Sequence, residues 1–175
     1  KKPERPVCCV VGGAKVSDKI VLLERFLDFA DTIIVGGAMA YTFMLAKKGT
    51  VGNSVIEPDK VKAAKEFLKN AKAAGVKVLL PRDSVCGDKF AADAAVQVFP
   101  SNQIPGGWMG LDIGPSAAKA YGRAIRQSKT IIWNGPMGVF EMPAFAEGTK
   151  YVAKSVARAT SKGAFSMVGG GDSVA

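Results

Sequence analysis

Short apolar, β-branched runs alternate along the chain with longer stretches in which apolar residues return every three or four positions. The short runs are Val7–Val11, Thr32–Val35, Val76–Leu80, Ala95–Val98, Thr130–Trp133 and Phe165–Val168. Strands with so few polar interruptions are expected where both faces of a sheet are covered. Between them, Ile20, Leu23 and Leu27 fall at helical spacing, as do Val61, Ala64, Phe67, Leu68 and Ala71. That spacing predicts helices that lay one apolar stripe on the sheet. Helices are expected to begin near Ser17, Met39, Asp59, Pro115 and Glu147. Strand and helix in turn predict an α/β fold with a mainly parallel, six-stranded sheet.

With 175 residues, 48% of them apolar, and no internal repeat or linker, the chain reads as one domain. The stretch Pro100–Gly107 reads as a loop within it. Glycines follow four of the predicted strands directly: Gly12-Gly13, Gly36-Gly37, Gly135 after Asn134, and Gly169-Gly170-Gly171. Ligands of open parallel sheets bind outside the carboxyl ends of the strands, and glycine lets backbone N–H groups come close to a phosphate. A single Gly-Gly pair can also serve only a tight turn. Four such turns together outline one crevice.

Composition narrows the chemistry. Histidine is absent, which removes the commonest general base and the commonest zinc ligand. A net charge of +9 favours anionic partners. The basic residues are scattered, and the series Lys60, Lys62, Lys65, Lys69 and Lys72 reads as a solvated helix face rather than a nucleic-acid surface. Cys8 and Cys9 are expected to point to opposite faces of a strand, and with Cys86 they form no CxxC pair, as suits a reducing compartment. No apolar run reaches the ~18 residues of a membrane span, and KKPERP is not followed by the apolar core of a signal peptide. A soluble protein without a membrane or nucleic-acid partner is expected.

Two turns carry the candidate chemistry. In Gly12-Gly13-Ala14-Lys15-Val16-Ser17-Asp18-Lys19, two lysines stand four residues apart where a strand passes into a helix. Both ammonium groups can share one helical face beside the helix's positive end, an arrangement suited to polyphosphate. In Gly169-Gly170-Gly171-Asp172-Ser173, Asp172 can cap a helix or offer a carboxylate to Mg²⁺, which takes few protein ligands beside substrate phosphates. Neither GxxxxGK[ST] nor GxGxxG is present.

In this order, GGAKVSDKI, GGAMAYTF, GGWMGLDIGP, WNGPMGVFE and GGGDS resemble phosphoglycerate kinase over the whole chain. The resemblance implies a Rossmann-like three-layer domain, the C-terminal, nucleotide-binding one of that family. It also implies an N-terminal domain for 3-phosphoglycerate that this chain lacks, and further helices after Ala175. Lys15 is similar to the lysine that follows the transferred phosphoryl group, and Lys19 to the one that holds the nucleotide phosphates. Gly170 and Gly171 correspond to glycines under the phosphates; with the two lysines they are the expected catalytic groups. Asp172 matches the Mg²⁺ ligand and Ser173 a phosphate contact where threonine is commoner. Glu141 matches the carboxylate that takes the ribose hydroxyls, Asn134 lies near the phosphates, and Pro136 and Val139 lie against ribose and base. Gly13, Gly36, Gly37, Phe90 and Leu111 match the adenine pocket. Ala38 replaces a common third glycine and Val55 a common leucine, which bears on base selectivity.

The implied reaction is reversible phosphoryl transfer between 1,3-bisphosphoglycerate and ADP, giving 3-phosphoglycerate and ATP. A carboxylate acceptor is already anionic and needs no base, which agrees with the absence of histidine. Positioning and charge neutralisation by lysines, Mg²⁺ and helix ends suffice. The expected partners are ATP or ADP with Mg²⁺, and the expected state is a monomer in the cytoplasm or, as in some members, the glycosome. The chain alone is expected to bind nucleotide without turnover. The other reading is a stand-alone, non-catalytic nucleotide-binding module.

Overall fold

A computed structural model describes residues 2–170. The first half contains β1 (Val7–Val11), α1 (Val16–Phe26), β2 (Thr32–Val35), α2 (Met39–Ala46), β3 (Thr50–Val51), α3 (Val61–Ala74) and β4 (Lys77–Leu79). There follow β5 (Asp83–Gly87), β6 (Val96–Pro100), β7 (Gln103–Ile104) and β8 (Met109–Ile113). The chain continues with α4 (Pro115–Arg126), β9 (Thr130–Asn134), α5 (Glu147–Ser161) and β10 (Phe165–Gly169). All five α-helices start at or within two residues of the positions expected from sequence.

Five strands, in the order β10-β9-β1-β2-β4, make the parallel sheet. The six-strand expectation is corrected by one. The run at Ala95–Val98 falls in β6, which pairs antiparallel with β5; β5 in turn pairs antiparallel with β8. A short apolar run does not distinguish a buried central strand from an edge strand. On β6, Val96 and Val98 remain 48% and 46% exposed, as befits the edge of a small sheet. The segment 100–107, expected as a loop, contributes β7, which pairs with β3.

The pleat of β1 divides the core. Val7, Cys9 and Val11 face a cluster containing Leu23 of α1, Phe43 of α2 and Phe67 of α3. Cys8 and Val10 face the opposite cluster, with Tyr121 and Ile125 of α4 and Val152 and Val156 of α5. Helices therefore cover both faces of the sheet in a Rossmann-like three-layer arrangement, and β1 is buried along its whole length. Lys62, Lys65, Lys69 and Lys72 all lie on the exposed side of α3, as the spacing predicted, whereas Lys60 precedes the helix and is half-buried.

None of the five α-helices is capped by the side chain at its own N-cap position, and three of them are capped instead from elsewhere in the chain. The N-cap residues of those three are Lys15 for α1, Gly114 for α4 and Ala146 for α5. In each case a carboxylate remote in sequence accepts from the free N–H groups. Glu57 takes the N–H and hydroxyl of Ser17 at 3.2 and 2.7 Å. Asp83 takes the N–H groups of Ser116 and Ala117 at 3.0 and 2.8 Å. Asp112 takes that of Gly148 at 2.8 Å. A helix cap contributes about 1 kcal/mol, and a negative charge there also complements the helix dipole.

Candidate active site

The register of the parallel sheet sets Val11 level with Val35 and with Asn134, and Asn134 level with Gly169. The next residues on these strands are Gly12, Gly36, Gly135 and Gly170. The carboxyl edge of the sheet thus ends in a row of glycines across four neighbouring strands. Close approach explains two of the turns. Gly135, at φ 97°, backs onto Gly12 so tightly that a Cβ on it would lie 2.1 Å from the Gly12 carbonyl oxygen. Gly37, at φ 76°, likewise presses on the backbone of Gly13. Hydrogen bonds from Gly12 N–H to the Asn134 carbonyl at 2.8 Å and from Met39 N–H to the Gly13 carbonyl at 3.1 Å hold the turns together.

Two adjoining cavities open above this row. The first, of about 280 Å³, is mainly apolar and lies between the turns after β1 and β2, strand β8 and the segment 136–141. Among its walls are Gly13, Gly37, Leu111, Pro136 and Val139, with Glu141 also present and Phe90 standing 59% exposed. Ala38 and Val55 line it too. The second, of about 190 Å³, is lined by Gly13, Lys15, Asp18, Lys19, Pro136 and Gly170, among others. Gly13, Ala14 and Pro136 belong to both. The ammonium of Lys19 donates to the side-chain carbonyl of Asn134, which ties the end of β9 to the first turn of α1.

The remaining expected residues are placed differently. Gly36 lies behind the cavities, where a Cβ would meet the Met137 sulfur at 2.4 Å. Asn134 is not among the lining residues and is joined to them by its bond to Lys19. Gly171, Asp172 and Ser173 lie outside the described residues. Sequence reading missed Tyr41, Gly110, Asp112, Gly138 and Phe140 in the apolar cavity and Asp18 in the polar one. Phe140 sits between Val139 and Glu141 in a motif already singled out, and a lone aspartate in the apolar run Met109–Ile113 was a signal for Asp112.

Two carboxylates beside the cavities have shifted affinities for protons. Burial pushes Asp112 up to about 7 from an ordinary value of 3.8, against the opposing pull of the Gly148 and Ile113 N–H groups. At Glu57, burial acts upward but is outweighed by hydrogen bonds from the Ser17 hydroxyl and the Ser17 and Val16 N–H groups, and by the charge of Lys15. The Glu57 carboxyl is therefore held below its usual range.

This arrangement offers an apolar slot for a flat ring joined to a lysine-lined hollow for an anion. The family model for phosphoglycerate kinase matches residues 1–175. The chain is 51% identical over 173 residues to the cytosolic phosphoglycerate kinase of Nicotiana tabacum, covering 99% of this chain and 43% of that protein. It is 52% identical over 175 residues to a phosphoglycerate kinase of Clostridium botulinum, covering 100% of this chain and 43% of the relative. The chain thus spans less than half the length of these relatives. Among solved structures, phosphoglycerate kinase from Coxiella burnetii superposes with a TM-score of 0.95 at 40% identity, over 99% of this chain and 44% of that one. The enzyme from Pyrococcus horikoshii does so with a TM-score of 0.83 at 31% identity, over 98% of this chain and 43% of that one. On this combination of sequence, fold and family match, the chain belongs to the phosphoglycerate kinase family.

Proposed function

We propose that the chain is the C-terminal, nucleotide-binding domain of a phosphoglycerate kinase. Together with an N-terminal domain that holds 3-phosphoglycerate, it serves reversible phosphoryl transfer between 1,3-bisphosphoglycerate and ADP. The observation that carries this reading is the apolar cavity sharing its wall with the cavity of Lys15 and Lys19. The base lies between Gly37, Phe90 and Leu111, and Glu141 accepts hydrogen bonds from the ribose hydroxyls. Val139 and Pro136 pack against base and ribose.

The phosphates run from Pro136 into the polar cavity, over Gly13 and Gly170. Lys19, held by Asn134, neutralises the phosphates that stay with the nucleotide, and Lys15 follows the one that is transferred. No residue need remove a proton, since the acceptor is a carboxylate, and the lysines act by position and charge. Asp172 would hold a Mg²⁺ ion there, which would supply positive charge to offset that of the phosphates. The donor set fits that ion, because Asp172 follows cavity-lining Gly170 by two residues and Mg²⁺ needs only one or two protein carboxylates beside phosphate.

The protein acts as a monomer in the cytoplasm, with the glycosome as the alternative compartment. The named cytosolic relative from Nicotiana tabacum supports the first. Among the described residues no helix is long and apolar enough to cross a membrane.

Calorimetric titration with Mg·ADP tests the reading. Saturable binding is expected, weakened about tenfold by Glu141→Ala as a charged hydrogen-bond acceptor is lost, and less by Lys15→Ala. The Mg²⁺ dependence should diminish in Asp172→Ala. A folded chain that fails to bind Mg·ADP, or binds it as well without Glu141, overturns the assignment.

A further inference from the structure

We infer that Glu57 is a positioning residue for phosphoryl transfer: from a loop that also carries a wall of the base cavity, it fixes the first turn of α1 and so the placement of Lys15. This rests on the nucleotide-site reading above and goes beyond it. The starting point is a conflict at the N-terminus of α1. The capping position is occupied by Lys15, whose side chain accepts nothing and brings a positive charge to the positive end of the helix. A lysine there suits an anionic substrate and ill suits the helix.

Glu57, forty residues beyond Ser17, resolves the conflict. Its Oε1 accepts the Ser17 N–H at 3.2 Å and its Oε2 accepts the Ser17 hydroxyl at 2.7 Å. It lies near enough to Lys15 for the lysine's charge to act on it, yet no ion pair joins the two. The carboxylate thus secures the helix start while leaving the ammonium free to face the polar cavity, whose wall Lys15 forms.

The loop bearing Glu57 is anchored on both sides of Val55. The hydroxyl of Ser54 accepts the N–H of Gly110 at 2.9 Å, and the Glu57 N–H donates to Thr42 Oγ1 at 3.1 Å. Gly110 and Val55 both line the apolar cavity. One short segment therefore contacts the base end of the site through Val55 and the phosphate end through Glu57.

The test is the affinity of this chain for Mg·ATP, Mg·ADP and adenosine in Glu57→Ala and Ser17→Ala variants, each with Lys15 present or replaced by Met. Glu57→Ala should weaken Mg·ATP binding roughly fivefold, the factor that corresponds to one lost helix cap. It should weaken Mg·ADP less and leave adenosine unchanged. Ser17→Ala, which removes the hydroxyl bond and keeps the N–H, should give a smaller loss with the same order. In the Lys15→Met background both losses should vanish. Equal losses for ATP and adenosine, a loss that persists without Lys15, or unchanged or tighter ATP binding overturns the inference. If the parent chain binds none of the three ligands, the site reading itself fails, and the inference falls with it.

Discussion

Asp112 Oδ2 accepts the N–H of Gly148 at 2.8 Å, so a buried carboxylate in the wall of the apolar cavity fixes the start of α5. Its other oxygen accepts the N–H of Ile113 at 2.8 Å. Burial raises the folded-state value to about 7, above the ordinary 3.8. A raised carboxyl binds more protons folded than unfolded, so its contribution is full below about pH 4 and is lost as pH rises through about 7. The loss across that window is on the order of a few kcal/mol. Urea unfolding at pH 5 and pH 8 should show the parent losing stability relative to Asp112→Asn, whose side chain does not titrate. Parallel pH profiles for the two proteins would refute this.

Gly37→Ala should be among the more damaging single changes. The new Cβ would sit 2.4 Å from the Gly13 carbonyl oxygen, at a φ of 76° that side chains disfavour. A loss of at least about 2 kcal/mol in urea unfolding is expected. Weaker Mg·ADP binding should accompany it, because the same two residues line the apolar cavity. Retention of both stability and binding would contradict the close approach of the two turns.

Tyr41→Phe isolates one hydroxyl. That hydroxyl donates to Ser84 Oγ at 2.8 Å, and Ser84 is also bonded to Ser101 at 2.6 Å. Ser84 keeps a partner when the tyrosine hydroxyl goes, so the cost should be only about 1 kcal/mol. The ring remains in the cavity wall, and nucleotide affinity should not change. A large fall in affinity would place the hydroxyl in ligand contact instead.

The three cysteines should be unreactive while the chain is folded. Cys8, Cys9 and Cys86 are each 0% exposed, and burial pushes all three thiols up to about 12. A thiol-specific chromogenic reagent should label none at pH 8 and all three in guanidinium chloride. Rapid labelling of the native chain would show that β1 or β5 opens readily.

Much of the layout was legible because β1 and β2 announce themselves as unbroken apolar runs and their glycines mark where they stop. Local sequence also placed the helix starts at Met39, Pro115 and Glu147. It did not separate β6 from the parallel strands, since Val96 and Val98 are as apolar as any core pair while their exposure depends on what lies beyond the edge. The site was legible in its glycines and lysines. Tyr41 and Gly110 were not, because α2 and β8 meet only in the folded chain, and Asp112 left only the signal of a lone aspartate in an apolar run. Glu57 escaped for the same reason: nothing local couples it to Ser17.

The remote helix caps bear on how the chain folds. Ser17, Ser116 and Gly148 find their acceptors 40, 33 and 36 residues away. Peptides cut to the lengths of α1, α4 and α5 would lack those acceptors and would form little helix in water. In the whole chain, helix starts and long-range closure must be completed together, and the entropy of closing those loops is repaid only then. Unfolding should accordingly be a single transition in which the mouth of the polar cavity and the helices behind it disappear at once.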